Sequence, residues 1–188
     1  MDNPFDFQAL RIQQPGTLLP NRARYEIFND RKLLLAIATE TEAHTRLSLM
    51  SKSMPGVRVV TVSTVAHEPI LTLIKHARER ITDLQGPDGE LVGRIRATHI
   101  NRHYTLVDHR NQQVGKVVGD LALKHFSVTG GGGGEFARVR KTWAGLTKEM
   151  VTPADHYKVE FTAPVSPVAR ILTVMLAIVL DLTLYGPV

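Results

Sequence analysis

The chain has no cysteine among its 188 residues. Disulfides, thiolate metal sites, cysteine nucleophiles and S-acyl anchors are excluded with it. Aromatic residues are scarce at 6%, with one tryptophan, Trp143. That leaves no aromatic-rich basic surface for stacking nucleobases, so nucleic acid is not an expected partner. Long apolar runs are missing as well. The uninterrupted run Ile171 to Leu180 has ten residues, where a membrane span takes about 20. The opening MDNPFDFQAL lacks a basic n-region and an apolar h-region, so no signal peptide is expected and the cytoplasm is the expected compartment. Catalytic patterns are absent too. The eight histidines are scattered, with no H-E-x-x-H and no paired carboxylates. Asp155-His156 has no serine in a nucleophile-elbow context beside it. His99 and His103 are four apart but belong to a hairpin connection, not a metal-binding helix face. The expectation is a protein that is not an enzyme, with no metal site and no cofactor.

What the chain does contain is apolar residues at 43%, charged residues at 22% and a formal net charge of +5. The length suits one sizeable domain, and the basic balance favours anionic partners such as phospholipid headgroups. Two stretches are near copies. Ile81 to Ile95 reads ITDLQGPDGELVGRI and Tyr104 to Val118 reads YTLVDHRNQQVGKVV. Each is an alternating strand, a polar turn and a returning strand with Val-Gly-basic-apolar, which predicts β-hairpins. A looser copy, YEIFNDRKLLLAIATE, starts at Tyr25. Gly93 and Gly115 recur at one position and mark strand bends or close backbone approach. Further strands are predicted at Arg58 to Ser63, Ile70 to Lys75, Phe126 to Thr129 and Lys158 to Thr162. Gly130 to Gly134 predicts a flexible loop and lacks the Lys-Ser/Thr of a phosphate-binding loop. Residues 1–20, with Pro4, Pro15 and Pro20, read as an N-terminal arm, and 21–188 as the folded domain.

The C-terminal stretch VARILTVMLAIVLDLTL is apolar nearly all round a helix predicted over about 167–184. Ser166-Pro167 supplies an N-cap hydroxyl followed by proline in the first turn. Such a helix must be buried. Its short apolar run, bracketed by Arg170 and Asp181, favours a protein core over a bilayer. An antiparallel sheet removes its edges by closing, and a barrel of roughly a dozen strands is too wide for side chains alone to fill. The expected fold is therefore mainly β: a closed antiparallel barrel around a buried helix, with Ile171, Met175, Ile178 and Asp181 among its core positions.

The segment FARVRKTWAGLTKEMVTPADHYKVEF, Phe136 to Phe161, resembles the phospholipid scramblase pattern of apolar–x–basic–Lys–x–Trp–x–Gly followed by Thr–x–Ala–Asp. The ending IVLDLTLYG resembles the scramblase C-terminal helix. The paired D-x-x-G-x-x-V-G hairpins are similar to the tubby-like barrels shared by scramblases, tubby proteins and LURP-one-related proteins. The resemblance spans roughly residues 20 to 185 and implies a 12-stranded barrel around a central C-terminal helix. It departs from the animal scramblases in lacking their Pro-rich N-terminal region and acylated cysteines. Their calcium-binding segment is also reduced, to Asp155 and Glu160 in PADHYKVEFTAPVSPV, which is too few oxygens for a calcium loop.

Arg94 and Arg96 are two apart on a strand and share one face; Arg138 and Arg140 repeat the arrangement, followed by Lys141. Arginine forks match phosphate oxygens, so these five are the candidate headgroup contacts, against the plain alternative of solvent-facing strand residues. Trp143 suits either an interfacial anchor or core packing. Asp181 opposes the helix dipole and, if buried, needs a partner on the barrel wall. The resemblance and these residues imply a non-catalytic phospholipid-binding protein, peripheral at the plasma membrane, that docks on anionic headgroups, with no obligate protein partner. The alternatives are a scramblase whose C-terminal helix inserts in the bilayer, and an intracellular carrier of a fatty acid or other apolar ligand.

Overall fold

A computed structural model describes residues 4–15, 23–41, 57–76, 80–98, 102–143 and 155–184. The strands are β1 (Ala9–Gln13), β2 (Arg24–Asn29), β3 (Leu34–Thr41), β4 (Arg58–Thr64), β5 (Pro69–Lys75) and β6 (Ile81–Gln85). They continue as β7 (Leu91–Ala97), β8 (His103–Asp108), β9 (Gln113–Gly119), β10 (His125–Thr129), β11 (Glu135–Trp143) and β12 (Asp155–Phe161). One helix follows, α1 (Pro167–Leu184). Each strand pairs with its neighbour in sequence, and β1 pairs with β12 to close the barrel. Closure leaves no sheet edge to template aggregation.

The hairpins at one end share a single turn. In residues 29–33 the Lys32 N–H donates to the Asn29 carbonyl and the Asn29 N–H to the Leu33 carbonyl. The same pair of bonds recurs in 64–68, 86–90, 108–112 and 130–134. The fourth residue of each is in the left-handed region: Lys32, His67, Gly89, Asn111 and Gly133. A one-residue register shift accompanies each turn, between Ile27/Phe28, Val62/Ser63, Leu84/Gln85, Leu106/Val107 and Val128/Thr129. This is the type I turn with a bulge of three-residue hairpins, and it is the physical content of the sequence repeat. The pentaglycine stretch is one instance of it. At Gly93 a Cβ would lie 2.5 Å from the Val107 carbonyl oxygen and 3.1 Å from Leu172 of the helix. The glycine there lets the wall approach both.

Helix α1 begins as its cap predicts: the Ala169 N–H donates to Ser166 Oγ at 3.3 Å, and the Arg170 N–H to the Ser166 carbonyl at 3.0 Å. Every residue from Leu172 to Leu182 is buried, Met175 and Ile178 completely, while Ile171 is half-buried. At roughly 1.5–3 kcal/mol per buried large aliphatic side chain, this helix is a principal source of stability.

The structure departs from expectation in the first twenty residues. They are not only an arm: Ala9–Gln13 is β1, with Leu10 and Ile12 fully buried. The alternation A-L-R-I-Q is a five-residue strand signal, easily passed over among flanking prolines. Phe5 is also fully buried. The Arg170 guanidinium donates to the Phe7 carbonyl at 2.7 Å and stacks 4.1 Å from the Phe161 ring centroid, so the N-terminal segment seals the barrel over the start of the helix.

Candidate functional site

Strand alternation sends every second side chain outward, and register decides which of them meet. On the outer wall His125 of β10 pairs with Arg140 of β11, Arg140 with Lys158 of β12, and Lys158 with Arg11 of β1. Four basic side chains from segments far apart in sequence thus form one cross-strand row. Arg138 lies in the adjoining row, opposite Glu160 and Ser127. Arg11, Gln13, Thr142, His156, Tyr157 and Lys158 line a shallow depression beside the row.

Two carboxylates thread this face. Glu160 accepts from Lys158 Nζ at 2.6 Å and lies 3.9 Å from Arg140 Nε. The Lys158 bond, with Arg140 and Arg138 adding, holds the Glu160 carboxyl below its ordinary pKa. Glu135 accepts from Ser127 Oγ and from Arg138 Nε, each at 2.5 Å, and its pKa is lowered first by the serine and then by the arginine. Arg11 has no carboxylate partner among the described residues. Like charges directly opposite one another on neighbouring strands destabilise a sheet by up to about 1 kcal/mol per pair. Arg11, Lys158, Arg140 and Arg138 outnumber Glu160 and Glu135 on this face, which therefore retains attraction for an external anion.

The other candidates are placed differently. Arg94 and Arg96 do share an outer face, on β7, four strands from β11. Arg94 Nε donates to Asp83 at 2.8 Å, and both guanidiniums donate to the Asn111 side-chain oxygen, at 3.0 and 2.8 Å. Arg94 is thus held by a carboxylate and an amide, and Arg96 by the amide alone, its buried Nε having no hydrogen-bond partner among the described residues. Lys141 is corrected as a headgroup contact: it is 6% exposed, its ammonium 5.9 Å from the Tyr157 ring centroid. The reason is parity, since Arg138 and Arg140 point outward and the next residue must point in. Arg11, Lys158 and His125 escaped the sequence reading because each stands alone in its strand. For His125 and Lys158 an outward-facing position on a strand adjoining β11 was the only signal; Arg11, on β1 beyond β12, had none. The side chains of Trp143 and Asp155, and residue His99, lie outside the described ones; His103 opens β8.

Inside the barrel, the far end of the helix carries a second polar cluster. Tyr25 Oη donates to Asp181 Oδ2 at 2.7 Å, the wall contact that a buried Asp181 requires. Arg58 donates to both Glu40 oxygens, at 2.6 and 2.8 Å, and Lys75 Nζ reaches the Leu182 carbonyl at 3.4 Å. Burial, and then the Asp181 charge, push the Tyr25 phenol well above its ordinary pKa. Burial opposes ionisation of Glu40, but Arg58 and the Ala23 N–H outweigh it and leave the carboxyl below its usual value. These bonds tie α1 to β2 and β5 and are structural.

A closed twelve-stranded barrel threaded by an apolar C-terminal helix defines a known class. The Scramblase family profile matches residues 21–186, and the chain belongs to the Scramblase family. A solved structure of a protein from Arabidopsis thaliana superposes with a TM-score of 0.58 at 13% identity, covering 95% of this chain and 94% of that one. The likeness is one of fold. No curated protein matches the sequence. Family membership supports a lipid-related role in general, in a family that is generally non-catalytic. No helix among the described residues is long and apolar enough to cross a membrane.

Proposed function

We propose that this protein docks peripherally on anionic phospholipid headgroups through the outer wall of β10, β11, β12 and β1. The observation that carries the reading is the row Arg11–Lys158–Arg140–His125, with Arg138 beside it. Arginine forks and an ammonium on one wall suit phosphate oxygens, which are multidentate and anionic. The β7 pair Arg94 and Arg96, already engaged by Asp83 and Asn111, is a secondary contact in this reading. Burial of Leu172 to Leu182 supports docking over insertion, because an inserted helix would first have to leave the core. The same helix occupies the space that a carrier would give to an acyl chain.

Vesicle sedimentation tests it. Binding to phosphatidylserine-containing vesicles is expected at low salt, to fall at high salt through screening, and to be weak on phosphatidylcholine alone. Each basic residue near an anionic surface contributes about 1 kcal/mol. Replacing Arg11, Arg138, Arg140 and Lys158 together by Gln should weaken binding by on the order of a hundredfold or more. Arg94→Gln/Arg96→Gln should do much less. Equal binding by the quadruple variant would move the docking face elsewhere.

A further inference from the structure

Four large apolar side chains among the described residues are exposed: Leu33, Val65, Val118 and Leu121. Leu33 and Val65 sit on turns at the end where the helix enters, where Asp30 and Glu68 offset Arg31 and Lys32. Leu121 stands apart. It is 86% exposed, the highest of the four, at the tip of the β9–β10 turn. That turn is built to hold it out. The Leu123 N–H donates to the Asp120 carbonyl at 3.2 Å, the Lys124 N–H to Asp120 Oδ1 at 2.8 Å, and the Asp120 N–H to the His125 carbonyl at 2.8 Å. Leu123, in the left-handed region at φ 55°, packs against the core, so the turn is pinned from below while Leu121 faces water.

The turn runs directly into the basic row, since His125 is both the residue after it and the first member of the row. Lys124 is exposed in the turn itself, and the exposed Val118 lies on the same wall, opposite Ser127. An exposed leucine at the tip of a pinned turn, with Lys124 and the basic row on one side and the single carboxylate of Asp120 beside it, matches a surface that is apolar within and anionic at its edge. We propose that Leu121 is an apolar anchor that enters the acyl region of an anionic bilayer while the basic row holds the headgroups. The anchor rests on the headgroup reading of the wall and adds to it a depth, an orientation and a named point of entry. A bare headgroup contact would need no apolar tip; a bilayer rewards one, because burial of a leucine side chain adds to the electrostatic attraction.

The absence of cysteine makes the test direct. Leu121→Cys and, separately, Val65→Cys are labelled with the polarity-sensitive fluorophore NBD and added to phosphatidylserine/phosphatidylcholine vesicles carrying acyl-chain nitroxides. The label at 121 should shift to the blue and be quenched, and the label at 65, at the opposite end of the barrel, should stay in water. Leu121→Ser should weaken vesicle binding on the order of tenfold with an unchanged melting temperature. Protein that cosediments with vesicles while the label at 121 remains aqueous would overturn the anchor and leave the docking wall standing. Insertion of the label at 65 in its place would overturn it also. If the unlabelled parent fails to cosediment at low salt, the docking reading falls and the anchor with it.

Discussion

Replacing Tyr25 by Phe deletes one oxygen atom and removes the 2.7 Å bond that its hydroxyl donates to Asp181. Both residues are buried, Tyr25 at 1% exposure and Asp181 at 5%, so water cannot readily substitute for the lost donor. A hydrogen bond to a charged acceptor contributes about 1.5–3 kcal/mol. In a domain of this size about 1 kcal/mol moves the melting temperature by roughly 2–4 °C, which gives an expected fall of about 3–12 °C. Asp181→Leu strands the phenol instead and should cost about 1–3 kcal/mol. The double variant removes both ends of the bond, so its loss should be smaller than the sum of the singles by roughly 0.5–3 kcal/mol. Arg58 keeps Glu40 in every variant, and its attraction to Asp181 is lost equally in both Asp181 variants, so the cycle cancels it. Thermal melts followed by circular dichroism would measure all four proteins. If Tyr25→Phe melts within a degree of the parent, or the two substitutions add without coupling, the bond does not hold the helix end and the reasoning fails.

Met175→Lys should abolish folding, since Met175 is completely buried at mid-helix and an unpaired buried charge costs several kcal/mol; a soluble variant as stable as the parent would remove the helix from the core. Alkali should destabilise the fold. Burial raises the phenol pKa of Tyr25 and of Tyr104, so the stability that each contributes is complete below about pH 10, where the unfolded phenol titrates, and is lost as pH rises toward the folded values. Each adds a slope of up to about 1.4 kcal/mol per pH unit; Lys75, whose pKa burial lowers, acts in the opposite sense but at lower pH, before the phenols titrate. Tyr25→Phe should flatten the slope in denaturant titrations above pH 10. Calcium at millimolar levels should leave the melting temperature unchanged, because Glu160 is already engaged by Lys158 and Arg140; a rise of several degrees that Asp155→Asn abolishes would show a calcium site.

Local pattern makes much of this protein legible in its sequence. The hairpins 81–97 and 103–119 were readable because alternation and turn residues are nearest-neighbour properties. The buried helix was readable because an all-apolar circumference has no solvent-facing side, and Ser166 marks its start. The inward or outward sense of each residue was legible in principle from strand parity, and parity alone explains why Lys141 faces the core while Arg138 and Arg140 do not. The pairing of β1 with β12 was not legible. It joins residues about 150 positions apart, and a five-residue strand among prolines carries too little local signal to announce its partner. Only closure brings Arg11 beside Lys158, and only register sets Lys158 beside Arg140 and Arg140 beside His125. Sequence by itself determined the central hairpins and the helix, because those follow from the period of apolar residues along the chain. The charged row was decided by tertiary structure alone, because Coulomb attraction depends on distance in space, and distance across a barrel wall is set by which strands meet.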